Sequence, residues 1–144
     1  AGHADLGAFQ QLREKLVTSL VAEVRGAVGP AVELSFLLMG DRWHAGIRAD
    51  LIAPHAERLG ILAYTPSPDE VERRVVAALA AGVPAADRLV VGLCVYPPAT
   101  PDGATLAATA AAAVGAGVRE LSFYNYGIAP PACLEWVKSC IRSI

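Results

Sequence analysis

The sequence predicts an α/β protein: a parallel (βα)4 unit preceded by a long helix, in one domain over residues 1–144. Three observations carry this. Four apolar runs, at about 31–39, 60–64, 88–96 and 119–124, each stop at a glycine, proline or polar aromatic residue. A helical pattern follows each run, so the repeat is close to the ~30 residues of a βα unit. The runs are apolar almost throughout rather than alternating, as strands of a parallel sheet covered by helices are.

Ala4 to Val28 reads as the leading helix. Leu6, Phe9, Leu16, Leu20, Val24 and Val28 recur at helical spacing, and Leu12, Val17 and Val21 widen the stripe. Gly29-Pro30 ends it. Ala31 to Met39 is the first strand, stopped by Gly40, and a loop Asp41-Arg42-Trp43-His44-Ala45-Gly46 follows. Ile47 to Leu59 holds a short helical segment that Pro54 interrupts. Gly60 to Tyr64 is the second strand. Ser67-Pro68-Asp69-Glu70 then supplies an N-cap, a proline at the first helical position and a Glu at the third. Val71, Val75, Val76 and Leu79 form that helix's stripe, and Gly82 with Pro84 ends it. Arg88 to Tyr96 is the third strand, closed by Pro97-Pro98. Thr100-Pro101-Asp102 opens a helix that runs to about Gly115. Arg119 to Tyr124 is the fourth strand, and Pro130-Pro131 starts a last helix with Leu134, Val137 and Ile141 on one face.

Two architectures satisfy this order: half of a (β/α)8 barrel, or a small open α/β sheet. No Gly-x-Gly-x-x-Gly or P-loop pattern follows any strand, which counts against an open sheet that binds nucleotides. The leading helix has no strand before it and reads as the helix that would follow the fourth strand of a barrel.

Hydrophobic residues make up 54% of the chain and charged residues 18%, against about 45–50% and 25% in ordinary domains. Such a chain buries both faces of a sheet, or part of its surface against a partner. The net charge of -2 gives no basic footprint for nucleic acid. No uncharged apolar run reaches the ~18 residues of a membrane span. Three cysteines without a C-x-x-C pair suggest reduced thiols and a cytoplasmic setting, or secretion if an upstream signal was removed. Cys133 and Cys140 stand about two turns, ~10.5 Å, apart on one helix, too far for a disulfide.

The stretches Arg13-Glu14-Lys15-Leu16-Val17-Thr18-Ser19-Leu20-Val21-Ala22-Glu23-Val24-Arg25, Gly60-Ile61-Leu62-Ala63-Tyr64 and Ser122-Phe123-Tyr124-Asn125-Tyr126-Gly127 together resemble the C-terminal half of a glycoside-hydrolase-like TIM barrel, the family-ten-like putative glycosyl hydrolases. The resemblance extends over nearly the whole chain at the level of pattern, and the last stretch is its most specific part. It implies that the four strands correspond to the fifth to eighth of a barrel, and it implies a carbohydrate-active or sugar-binding role. The family's acid/base carboxylate follows its fourth strand and its nucleophile the seventh. Here the corresponding strand ends Cys94-Val95-Tyr96-Pro97, without Asp or Glu, so these residues do not assemble a carboxylate pair.

Ligands of such a fold gather at the carboxyl ends of the strands. Those ends supply Arg42, Trp43, Tyr64, Tyr96, Tyr124, Asn125 and Tyr126 as candidate substrate-binding residues: rings for stacking, with hydroxyls and an amide for hydrogen bonds. They suit a sugar and equally any neutral polar ligand, and tyrosines also serve simply to cap a barrel. Asp41 and His44 are the one acid–imidazole pair in a single loop and the candidate general acid and base; a turn Asp and a solvated His are the plainer reading. His3 and His55 lie on other segments, so no metal and no cofactor are expected. Cys94 lacks a visible base and reads as a small buried hydrophobe. Glu33 and Glu120 lie at strand starts and carry no assigned chemistry. The expected partners are a small-molecule or sugar ligand together with a missing N-terminal half or a second copy. A non-catalytic domain serving assembly is the rival reading.

Overall fold

A computed structural model describes residues 2–39 and 42–144, with the backbone alone at residues 2–5 and 42. Helix α1 (Gly2–Val28) leads into strand β1 (Ser35–Leu37). Two short helices, α2 (Arg42–Ala45) and α3 (Ala49–Ile52), and a 3-10 turn over Ala53–His55 connect it to β2 (Arg58–Leu62). Then come α4 (Pro68–Ala80), a 3-10 turn over Ala86–Arg88, β3 (Leu89–Cys94), α5 (Gly103–Gly115), β4 (Glu120–Tyr124) and α6 (Pro131–Ser143). The four strands form one all-parallel sheet in the order β1-β2-β3-β4. In a doubly wound sheet the strand order reverses at a switch point. Here it advances one strand at a time, and α5 packs between α4 and α6 on one face. That is the arrangement of a (βα)4 half-barrel.

Parity along the strands separates the two faces. Leu59, Ile61, Leu89, Val91 and Leu93 point toward the helices and belong to the core with Ile52, Val71, Val75, Leu106 and Ala110. Phe36, Leu38 and Phe123 pack against the same core. Phe36, Leu38, Ile61, Val91, Leu93 and Phe123 are thus all in or against the core on the helix-covered side. The uncovered face instead carries Ser35 and Leu37, Gly60 and Leu62, Val90 and Gly92, and Ser122 and Tyr124, which line one broad cleft.

Two ionic groups fasten the amino-terminal end of the sheet. Glu57 accepts from the Leu34 amide at 2.7 Å and pairs with Arg25, whose Nη1 also donates to Val32 O at 2.8 Å. The Leu34 amide and then the Arg25 charge hold the Glu57 carboxyl below its usual range. On the uncovered face Arg58 reaches Glu120 at 3.0 Å and Glu33 at 3.3 Å, bridging β2 to β4 past Val90. Glu33 and Glu120 thus serve the frame.

Several elements depart from their sequence expectations. Strand β1 keeps three residues of the nine expected. Residues 42–45 form one helical turn rather than a loop. Leu59 belongs to β2 and not to the preceding helical segment. Helix α6 buries Cys133 and Cys140 and leaves Ile141 exposed, so its covered face is rotated from Leu134, Val137 and Ile141. The largest departure is in α1. Among its described side chains Gln10, Glu14 and Val21 are buried, whereas Leu6, Phe9, Leu12, Leu16, Leu20, Val24 and Val28 are exposed. All three cysteines are free and buried.

Candidate functional site

The uncovered face of the sheet holds a cleft of about 560 Å³. Its floor is made of small and aliphatic residues: Gly60 and Gly92 flanked by Leu37, Leu62 and Val90. The two glycines matter by close approach. A Cβ on Gly60 would stand 2.9 Å from Leu37 Cδ1, and one on Gly92 would stand 3.0 Å from Leu62 Cδ2. Any side chain there would displace the neighbours that shape the floor.

The carboxyl end of the cleft is walled by tyrosines. Tyr64 follows β2 and Tyr124 ends β4, and β3 runs between them. With Gly92 carrying no side chain, their rings meet across β3 at a centroid distance of 5.2 Å and an interplanar angle of 23°, the range of an offset stack. Burial, and then the neighbouring Tyr124 phenol, raise the Tyr64 hydroxyl above its ordinary value; burial and the adjoining Cys94 raise that of Tyr96. These hydroxyls are therefore neutral at physiological pH and both donate and accept hydrogen bonds. Cys94 lies beneath them, its Sγ 3.5 Å from Tyr96 O. Thr100 donates through Oγ1 to Cys94 O, and its own amide donates to Tyr96 O at 3.1 Å, so the segment after β3 is held on its own strand end.

Of the candidate residues, the structure brings together Tyr64, Tyr96 and Tyr124, with Asn125 and Tyr126 in the next turn. Asn125 is committed to that turn: its Oδ1 accepts from the Gly127 amide at 2.9 Å and its carbonyl from Ala129 at 3.0 Å. The Tyr124–Asn125 peptide is cis. Tyr126 is 80% exposed and lines no part of the cleft. Trp43 and His44 are drawn away from the tyrosines, because Arg13 donates to both of their carbonyls and ties α2 to α1. The Trp43 ring lines a separate cleft with Leu6, Gly7, Gln10 and Gln11. Asp41 lies outside the described residues, as does the side chain of Arg42.

No charged side chain lines the tyrosine cleft among the described residues. Nor do three or more His, Cys, Asp or Glu gather anywhere among them in a way that would hold a metal. The arrangement offers two stacked rings, hydroxyls from Tyr64, Tyr124, Ser122 and Ser35, and an apolar floor. It suits an uncharged ligand with an apolar face and hydroxyl edges.

Sequence reasoning missed the floor, yet a signal for it was there. Each strand has one small residue at the parity of the uncovered face: Ser35, Gly60, Gly92 and Ser122. A run of small residues at one parity marks a face on which something is to be accommodated.

Comparison with protein-family models, with curated proteins and with solved structures returned no match. No helix among the described residues is long and apolar enough to cross a membrane.

Proposed function

We propose that this chain is a carbohydrate-binding (βα)4 unit of the glycoside-hydrolase-like kind, taking an uncharged sugar at the carboxyl ends of its strands. The observation that carries the reading is the Tyr64–Tyr124 stack above the glycine-floored cleft. A sugar ring presents an apolar face of C–H groups and an equatorial rim of hydroxyls. Phenols with an apolar floor and no charged side chain in the described lining match both. The resemblance of Ser122–Gly127 and its companion stretches to that family points the same way. Hydrolysis by two carboxylates needs the pair about 5–9.5 Å apart across the scissile bond. The described lining offers neither, so binding is the activity assigned to these residues.

Calorimetry or ligand-observed NMR over a panel of neutral oligosaccharides tests the reading. Removing one ring face costs about 1–1.5 kcal/mol, so Tyr64→Ala and Tyr124→Ala should each weaken binding roughly tenfold. Trp43→Ala, in its separate cleft, should leave affinity unchanged. An affinity indifferent to both tyrosines would place the ligand elsewhere.

The exposed apolar face of α1 favours a second reading, that the chain is also an assembly unit.

A further inference from the structure

Strand β2 delivers Tyr64 to the cleft, and the Leu62–Ala63 peptide, one residue before it, is held from both sides. Its N–H, that of Ala63, donates to Gly92 O on β3 at 2.8 Å. Its carbonyl, that of Leu62, accepts from Arg74 Nη1 at 2.8 Å. A peptide unit is planar, so bonds at its two opposite edges stop it from turning about the chain axis. The β1 ladder ends two residues earlier, with Leu37 opposite Gly60. The hold on the Leu62 carbonyl therefore comes from another layer, helix α4.

Arg74 is itself aimed. Its Nε donates to Glu70 Oε1 at 2.6 Å one turn back, and the Glu70 amide is held by Ser67 Oγ at 3.3 Å. A guanidinium presents its donors in a rigid fork, so a head oriented by Glu70 points Nη1 in one direction. It lies half-buried beside Leu38, Met39, Ile61 and Leu62. Behind Tyr64 the chain is fixed locally: the Thr65 amide donates to Ala63 O at 3.0 Å and the Ser67 amide to Thr65 Oγ1 at 3.2 Å.

We propose that Arg74 is a positioning residue for the Tyr64–Tyr124 stack, acting through the Leu62–Ala63 peptide. This rests on the binding reading above and extends it to a residue outside the cleft. The two rings stand on either side of β3 and meet at 5.2 Å, inside the window of about 4.5–7 Å in which aromatic pairs attract. A binding site works within about 0.5 Å and 10–20° of its productive geometry. Tyrosine is long, so a small turn of the backbone before it becomes a larger displacement at its ring. Without Arg74 the Leu62–Ala63 peptide keeps only its bond to β3 as a described restraint, and the Tyr64 ring loses its fixed place opposite Tyr124.

Near-ultraviolet circular dichroism and calorimetry on the full chain test the inference. The stacked pair contributes a tyrosine band that Tyr124→Ala identifies by difference. Arg74→Met keeps the stem and removes both bonds. It should lose that band with the far-ultraviolet spectrum unchanged, and weaken binding across the panel of neutral oligosaccharides roughly tenfold, as loss of one ring does. Arg74→Lys, whose ammonium still reaches the Leu62 carbonyl, should restore most of both. Arg73→Met removes only an exposed pair with Glu70 and should change neither. If Arg74→Met does not fold, Arg74→Gln, polar but too short to reach Leu62, takes its place with the same expected losses. A variant that is merely less stable to denaturant, with band and affinity kept, makes Arg74 a strut of the fold and overturns the inference. Loss of the band with full affinity overturns it as well. A parent chain that binds none of the oligosaccharides, yet loses its band on Arg74→Met and regains it on Arg74→Lys, sinks the sugar reading and upholds the positioning of the stack.

Discussion

Gly92 shows how much of the site rests on one atom that is missing. Its neighbours across the sheet are Leu62 and Ser122, and only the lack of a Cβ lets Leu62 and the Tyr64 ring lie over the strand. Gly92→Leu should fill the cleft, separate Tyr64 from Tyr124 and abolish sugar binding. The strand hydrogen bonds do not depend on the side chain, so the fold should persist at a cost of about 1–3 kcal/mol from crowding. Denaturant titration beside the binding assay checks both halves of that statement. The tyrosines were legible in the sequence because polar aromatics at the ends of apolar runs are rare and conspicuous. The floor beneath them was not, because a lone glycine in a strand has many explanations until the register shows what stands on either side. Trp43 was misplaced for a similar reason. Sequence sets it just after β1, but the bonds from Arg13 that turn α2 toward α1 join residues 30 and 31 positions apart.

At the scale of single elements, local chemistry and structure agree best where a cap is present. Ser67 Oγ accepts from the Glu70 amide at 3.3 Å, Pro68 takes the first helical position, and α4 begins where the sequence places it. Helix α5 is similarly started by Asp102, whose Oδ1 accepts from the Thr105 amide at 2.8 Å. Replacing Ser67 by Ala should cost about 1 kcal/mol, readable as a lowered denaturant midpoint with an unchanged slope. Gly82 makes the end of α4 equally definite: its φ of +105° and the approach of Asp50, 2.6 Å from where a Cβ would be, admit only glycine. Strand β1 had no such punctuation. Its apolar run over Ala31 to Met39 looked like a long strand, but it borders a single neighbour, so only Ser35–Leu37 meet a partner ladder. The face of α1 was misjudged by the same logic. Periodicity shows that a helix has apolar stripes; it does not show which of them the rest of the chain reaches.

For the molecule as a whole, the carboxylates form a stabilising set with one sign. Glu57 is held below its usual range by the Leu34 amide, Asp50 and Glu70 by Arg48 and Arg74, and Asp102 by the Thr105 amide. A depressed folded value means that the unfolded chain binds more protons than the folded one as acid is added. The stability these groups contribute is therefore complete above the ordinary carboxylate values of 3.8 and 4.5 and is lost as pH falls through the lower folded values. Thermal melts from pH 6 down to about pH 3 should show a falling midpoint, and Glu57→Gln should flatten the curve. A midpoint independent of pH would mean that these pairs add nothing. All four of these carboxylates lie outside the tyrosine cleft's strands, in loops and helices, so the sugar affinity itself should be level over the range in which the protein stays folded.

The order β1-β2-β3-β4 also governs how the chain finds its shape. Each strand pairs only with the strand of the next unit, so Leu59 meets Leu89 and Val90 meets Glu120 at a separation of about 30 residues. No pairing in the sheet requires the two ends of the chain to meet. The entropy of closing a loop grows only slowly with its length, and here every closure is short. Folding on this plan can begin at β2 and β3, whose shared ladder holds the most deeply buried strand residues, and extend outward one unit at a time. Synthesis on the ribosome delivers the units in that same order, so each new strand emerges to find its one neighbour already made.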